Sequence, residues 1–179
     1  MVLCFVTGNV KKFTEAKMVF PELKQLDIDL PEIQSLDPQE IVSCKLQAAS
    51  KKFPHKKIIV EDTSLVFHAW NGLPGPLIKW YLQTVGGIGI CKMLEWFANK
   101  KASAICTIGY AYGDIIEFFQ GVTTGNVVEP STESDFGRDA LFQPDGYEKT
   151  YAHMSKEEKN TVSHRGKALQ LLQDYIQSM

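Results

Sequence analysis

Glu61 and Asp62 stand directly behind the apolar run Ile58-Ile59-Val60, and Glu32 stands directly behind Pro31. In open α/β sheets ligands bind outside the C-terminal ends of the strands. Carboxylates at such ends are placed to do chemistry. Asp62 and Glu32 suit Mg2+, which takes one or two carboxylates and fills its shell with water and substrate phosphates. The alternative is a set of turn carboxylates facing water. Thr7-Gly8-Asn9-Val10-Lys11-Lys12 follows a second apolar run, Val2 to Val6. A strand feeding a Thr-Gly-Asn turn and then a helix leaves the first helical N–H groups unpaired. With two lysines beside them, such N–H groups suit phosphate. No G-x-x-x-x-G-K-[ST] loop occurs, and an ordinary strand–turn–helix with solvated lysines fits the same residues.

A polyphosphate needs several cations, and Lys12, Lys45, Lys79, Lys159 and Arg165 are the candidates. Lys79 stands out, between Ile78 and Trp80 and behind the Pro74-Gly75-Pro76 loop that proline stiffens. Phe136-Gly137-Arg138-Asp139 offers an aromatic for stacking on a base, or a core phenylalanine. Ser163-His164-Arg165 offers donors for a carbonyl edge, or a capping serine with two surface residues.

The elements that must position these groups follow from periodicity and punctuation. Residues 10–20 read as a helix with Phe13, Ala16 and Phe20 on one face, ended by Pro21. Residues 26–30 alternate and read as a strand. A helix opens at Asp37-Pro38 and runs to about residue 52. Residues 58–60 are a short buried strand, and 72–76 a stiff loop. Helices are expected at 77–84 and 88–97. Strands at 102–112 and 115–122 form a hairpin around Gly113-Asp114, and Val127-Val128 suggests a further strand. Ser155-x-x-Glu158 has the spacing of a capping box. Ser163 caps a last helix striped with Ala168, Leu171, Leu172, Tyr175 and Ile176. Helices alternating with strands and then a long hairpin imply an α/β or α+β chain with a mixed sheet.

The 179 residues suit a single domain, 1–179, with 44% hydrophobic and 22% charged residues. A net charge of −2 argues against a nucleic-acid or membrane partner. No basic segment followed by an apolar stretch opens the chain, so the expected location is cytoplasmic. Cys4, Cys44, Cys91 and Cys106 show no C-x-x-C or Cys/His spacing and read as reduced thiols.

Taken in order, the stretches TGNxxK (from Thr7), DLPE (from Asp29), EDT (from Glu61), GLPGPxIKW (from Gly72), FGxD (from Phe136), FQPDGYEKTYA (from Phe142), EKN (from Glu158) and SHRxxAL (from Ser163) cover nearly the whole chain. The sequence resembles the inosine triphosphate pyrophosphatase family from about residue 2 to about residue 172. The resemblance implies an elongated, two-lobed α/β fold around a central mixed β-sheet, with a nucleotide cleft between the lobes, and a homodimer. It implies hydrolysis of ITP, dITP and XTP to the monophosphate and pyrophosphate with Mg2+, for which Mn2+ substitutes. By the same match, Thr7, Gly8, Asn9, Val10, Lys11 and Lys12 form the phosphate-binding turn, and Glu15 is the acidic residue of that helix. Glu32 and Asp62 are metal ligands. Asp62 is also the catalytic base, Lys12 counts with it as catalytic, and Thr63 touches the nucleotide. Lys45 and Lys79 contact the nucleotide. Phe136, Gly137, Arg138 and Asp139 form the base-stacking loop, and Lys159, His164 and Arg165 close over the base. The family usually carries an aromatic where Arg138 stands and often a proline where Ala140 stands, which puts the base pocket in question. Two other readings are a related pyrophosphatase with another base preference and a nucleotide-binding protein without turnover.

Overall fold

The computed structural model describes residues 2–130 and 137–179. Its sheet contains β1 (Leu3–Val6), β2 (Lys24–Leu26), β3 (Lys57–Phe67), β4 (Pro74–Gly75), β5 (Lys101–Tyr112), β6 (Ile115–Val127) and β7 (Phe142–Pro144). The helices among the described residues are α1 (Val10–Val19), α2 (Pro38–Lys52), α3 (Ile78–Thr84), α4 (Gly86–Leu94), α5 (Lys156–Val162) and α6 (His164–Ser178). The spatial order is β2-β1-β3-β5-β6-β7, with β4 added to β3. β1 pairs parallel with β2 and β3, and all other pairings are antiparallel. The sheet is therefore mixed, as expected. Parallel neighbours need a crossover, and α1 and α2 supply the two crossovers.

Strand alternation sorts the side chains onto two faces. Phe5, Ile59, Ile108 and Tyr110 pack with Ala16 of α1 and Ala168, Leu169 and Leu172 of α6. Val6, Ile58, Val60 and Ala111 pack against Val42, Leu46 and Ala49 of α2. Further along β3, Leu65 and Phe67 join Ile78, Ile90 and Leu94 in another cluster. On the face bearing Ile59, the two clusters are thus separated by Glu61 and Thr63.

Backbone pairing opens a gap at the same place. Ile59 is the last residue of β3 paired with β1, and Leu65 is the first paired with β4. The other edge of β3 is paired with β5 throughout, from Ile58 to Phe67. Residues 60–64 therefore have a strand on one edge only, among the described residues. The gap is flanked by the turn after β1 and the loop around β4.

Several boundaries differ from the sequence expectations. β3 continues to Phe67, so Glu61 and Asp62 lie inside the strand and not beyond its end. Polar residues 61–64 look like a terminus, but β5 pairing carries the chain on. The strand expected at 26–30 is Lys24–Leu26, in register with Cys4 to Val6 of β1. β6 runs through to Val127, so Val127 is the end of that strand, Val128 lies just beyond it, and the pair is not a separate strand. α4 starts and ends earlier than expected, at Gly86 and Leu94. β4 and β7 are too short for periodicity to show. Ser155 does cap α5 through the Glu158 N–H, but the Glu158 carboxylate pairs with Lys149 at 2.6 Å, so only half of a capping box forms. The four cysteines are free. No helix among the described residues is long and apolar enough to cross a membrane.

Gly121 of β6 fixes how close α6 comes. A Cβ there would lie 2.0 Å from the His164 carbonyl oxygen and 2.5 Å from the Ala168 nitrogen. Both obstacles are helix backbone and cannot rotate away. Gly121→Ala is expected to cost about 1–3 kcal/mol or more. The measurement is the urea midpoint at unchanged m-value.

Candidate active site

The turn after β1 is built by its own side chains. Thr7 Oγ1 accepts from the Asn9 N–H at 3.1 Å, and Asn9 Oδ1 accepts from the Lys12 N–H at 3.1 Å. Asn9 is thus the N-cap of α1, and the N–H groups of Val10 and Lys11 lie at the helix start, outside the intrahelical ladder. Gly8 leaves room for the Asp27 carboxylate, whose Oδ1 would lie 3.0 Å from a Cβ at this position.

A cavity of about 320 Å3 opens where β3 lacks its second strand. Asn9, Lys11, Lys12 and Glu15 line it from the β1 side, and Asp62 and Thr63 from β3. Pro76, Ile78, Lys79, Leu82 and Gln83 form the wall from the β4 loop and α3, and Gly137, Asp139 and Arg165 complete it. Lys11 and Lys79 have no carboxylate partner among the described residues.

Two ion-pair systems diverge from adjacent positions of β3, because alternation sends Asp62 and Glu61 to opposite faces. On the α2 side, Lys45 Nζ donates to Asp62 Oδ1 and to Glu32 Oε1, each at 3.0 Å. Burial pushes the Lys45 ammonium towards neutrality, but Asp62 and Glu32 outweigh it and raise its pKa. Burial likewise pushes the Glu32 carboxyl up. The Lys45 hydrogen bond and the charges of Lys45, Lys79 and Lys12 outweigh that and hold it below the usual carboxylate range. Asp62 Oδ2 is buried and has no hydrogen-bond partner among the described residues. Leaving a buried carboxylate oxygen unpaired is costly, so this atom is a ready acceptor for a cation or a water proton.

On the α1–α6 side, Glu61 accepts from Arg165 Nε and Nη2, both at 2.9 Å. Lys12 Nζ lies 3.1 Å from the same carboxylate. Arg165 Nη1 also donates to Glu15 Oε2. Lys159 Nζ bridges Glu15 and Asp139 at 2.6 Å each. Burial pushes the Glu61 carboxyl up, yet Arg165 and Lys12 hold it far below the carboxylate range.

The site residues expected from the sequence fall into three groups. Asn9, Lys11, Lys12, Asp62, Thr63, Lys79, Gly137, Asp139 and Arg165 meet at the cavity wall. Thr7, Gly8 and Val10 shape the turn behind Asn9, Glu32 and Lys45 join through Asp62, and Lys159 stands behind Asp139. His164 is not at the wall: it is buried, its ring centroid 5.7 Å from that of Tyr151. The surface reading of His164 and Arg165 is overturned, since both are buried. Phe136 and the Arg138 side chain lie outside the described residues. Glu61 was read only together with Asp62 as a strand-end carboxylate and given no role of its own, and of the α3 wall only Lys79 was named. The only signal for Glu61 was its place beside Asp62.

The Ham1 family profile matches residues 3–175. The chain belongs to the Ham1 family. Its structure is similar to the Ham1 protein of Staphylococcus aureus, with 26% identity, a TM-score of 0.85 and 99% of each chain covered. It is similar to a HAM1 protein from Coxiella burnetii at 23% identity and a TM-score of 0.85, with both chains fully covered. A Mycobacterium abscessus protein named nucleoside-triphosphatase / dITP/XTP pyrophosphatase shares the fold at 22% identity and a TM-score of 0.73, covering 96% of this chain and 98% of that one. The resemblance read from the sequence and the mixed α/β architecture are borne out by these Ham1 matches.

Proposed function

We propose that this Ham1 chain hydrolyses deaminated purine nucleoside triphosphates (ITP, dITP and XTP) to the monophosphate and pyrophosphate. The observation that carries this reading is Asp62, held by Lys45 through one oxygen and presenting a buried, unpartnered second oxygen beside a lysine-lined cavity. Phosphoryl transfer depends chiefly on positioning and charge neutralisation. Lys11, Lys12 and Lys79 supply positive charge, and the start of α1 supplies N–H donors. Asp62 accepts the proton of the attacking water. The water oxygen bonds to phosphorus as the bridging oxygen departs with pyrophosphate.

The donor set fits Mg2+, with Mn2+ as a substitute. Asp62 and Glu32 would hold it; among the described residues no group of three or more His, Cys, Asp or Glu is placed to hold a metal ion by itself. Two carboxylates and open positions suit a hard cation shared with substrate phosphates. Bound there, the metal neutralises phosphate charge and acidifies water.

Base choice follows from donors. Hypoxanthine and xanthine carry an acceptor at position 6, and adenine carries an amino donor. Three of the five N–H donors of Arg165 go to Glu61 and Glu15, which leaves two. A site of donors rejects adenine because its donors would go unpaired. The proposal includes a cytoplasmic homodimer, for which the exposed Trp80, Met93, Trp96 and Phe97 offer apolar surface.

Phosphorus NMR of products from ITP, XTP, dUTP, GTP and ATP with Mg2+ tests the reading. Pyrophosphate with IMP and XMP is expected, with ATP poor. Orthophosphate with IDP would overturn the bond assignment. Preference for dUTP would favour the reading with another base, and binding without products the non-catalytic one.

A further inference from the structure

We propose that Glu61 is a positioning residue whose carboxylate fixes both the Lys12 ammonium and the Arg165 guanidinium at the cavity wall. This rests on the functional reading above and adds to it a residue that does not line the cavity. Glu61 lies in the interior of β3, opposite Ile108 of β5, with its side chain 2% exposed. Its Oε1 serves Lys12 at 3.1 Å and Arg165 Nη2 at 2.9 Å, and its Oε2 serves Arg165 Nε at 2.9 Å. Both of those partners reach the cavity wall. One rigid carboxylate thus sets the location of two cations that come from opposite ends of the chain.

The chemistry requires a carboxylate. Every partner is a donor, and an ionised carboxylate accepts through both oxygens. A glutamine would turn an NH2 towards one of the cations. The cluster is also balanced, with Lys12, Arg165 and Lys159 facing Glu61, Glu15 and Asp139. Removing the Glu61 charge leaves one positive charge in excess while Lys12 loses its fixed location. Binding of a polyanion and turnover must then respond in different directions, which loss of fold alone does not produce.

The test compares wild type, Glu61→Gln and Glu61→Asp after thermal unfolding has shown each to be folded. Calorimetry reads binding of inorganic triphosphate, and steady-state kinetics reads ITP with Mg2+. Glu61→Gln is expected to bind triphosphate as tightly as wild type or about 2- to 5-fold tighter, while kcat falls by about 30- to 100-fold. Glu61→Asp keeps the charge but is one methylene shorter and cannot reach both cations. Its triphosphate affinity is expected within about 2-fold of wild type, with kcat lower by about 10-fold. If Glu61→Gln does not fold, Glu61→Asp decides. A kcat within about 2-fold of wild type, or a triphosphate affinity that falls in step with kcat, overturns the proposal. A wild type inactive on every nucleotide would defeat the functional reading alone. The 15N signal of the Lys12 ammonium then still decides: broadening in Glu61→Asp supports the placement, and an unchanged signal overturns it.

Discussion

Asp62→Asn should lower kcat for ITP by about two to four decades while changing nucleotide affinity far less. The substitution keeps the size of the side chain and the Oδ1 acceptor for Lys45. It removes the charge and the basicity of the buried, unpartnered oxygen. The groups expected to hold most of the polyphosphate, Lys11, Lys12 and Lys79, are untouched. Single-turnover kinetics at saturating Mg2+ separates the proton-transfer step from binding. Retention of more than roughly a tenth of the wild-type kcat would remove Asp62 from the role of base.

Arg165→Met should destabilise the fold by about 3–5 kcal/mol, because it removes the two-pronged partner of a buried carboxylate and leaves Glu61 and Glu15 with one lysine each, Lys12 and Lys159. Glu61 is buried, and Glu15 is largely covered. Methionine fills much of the volume, so the loss measures charge and hydrogen bonding more than a cavity. For a chain of this size that corresponds to a fall in Tm of roughly 6–20 °C. Calorimetry at neutral pH checks it. The exposed Lys101–Asp145 pair has a similar short distance, 2.7 Å, but both partners are hydrated and its loss should be minor. Equal effects from the two pairs would show that burial is not what makes Arg165 matter.

Local chemistry was readable from the sequence, and tertiary compensation was not. The Thr7-to-Asn9 turn, the caps at Asp37 and Ser163 and the hairpin at Gly113-Asp114 follow from residues a few places apart. The length of β3 does not. A run of Glu61-Asp62-Thr63-Ser64 looks like the end of a strand, and it stays in the sheet because Lys45, Lys12 and Arg165 neutralise its acids from other elements. The burial of Arg165 was hidden for the same reason. Beside His164 and a capping serine it resembles a surface residue, and only Glu61 and Glu15 make the interior tolerable for it. β4 and β7, two and three residues long, are defined by their neighbours' hydrogen bonds and carry no pattern of their own.

The contact between Arg165 and its carboxylates spans 104 residues to Glu61 and 150 to Glu15. Closing loops of that length is slow, and contacts so distant along the chain form late. During synthesis β1, α1 and β3 emerge long before α6. Until α5 and α6 dock, Glu61 has only Lys12 as a partner and Glu15 lacks both of its cations, so burying the two carboxylates is disfavoured. A half-made chain therefore holds the Thr7-to-Asn9 turn and Asp62 without the guanidinium that completes the neighbouring ion-pair cluster. The proposed site is complete only once α6 docks and brings Arg165 onto Glu61 and Glu15.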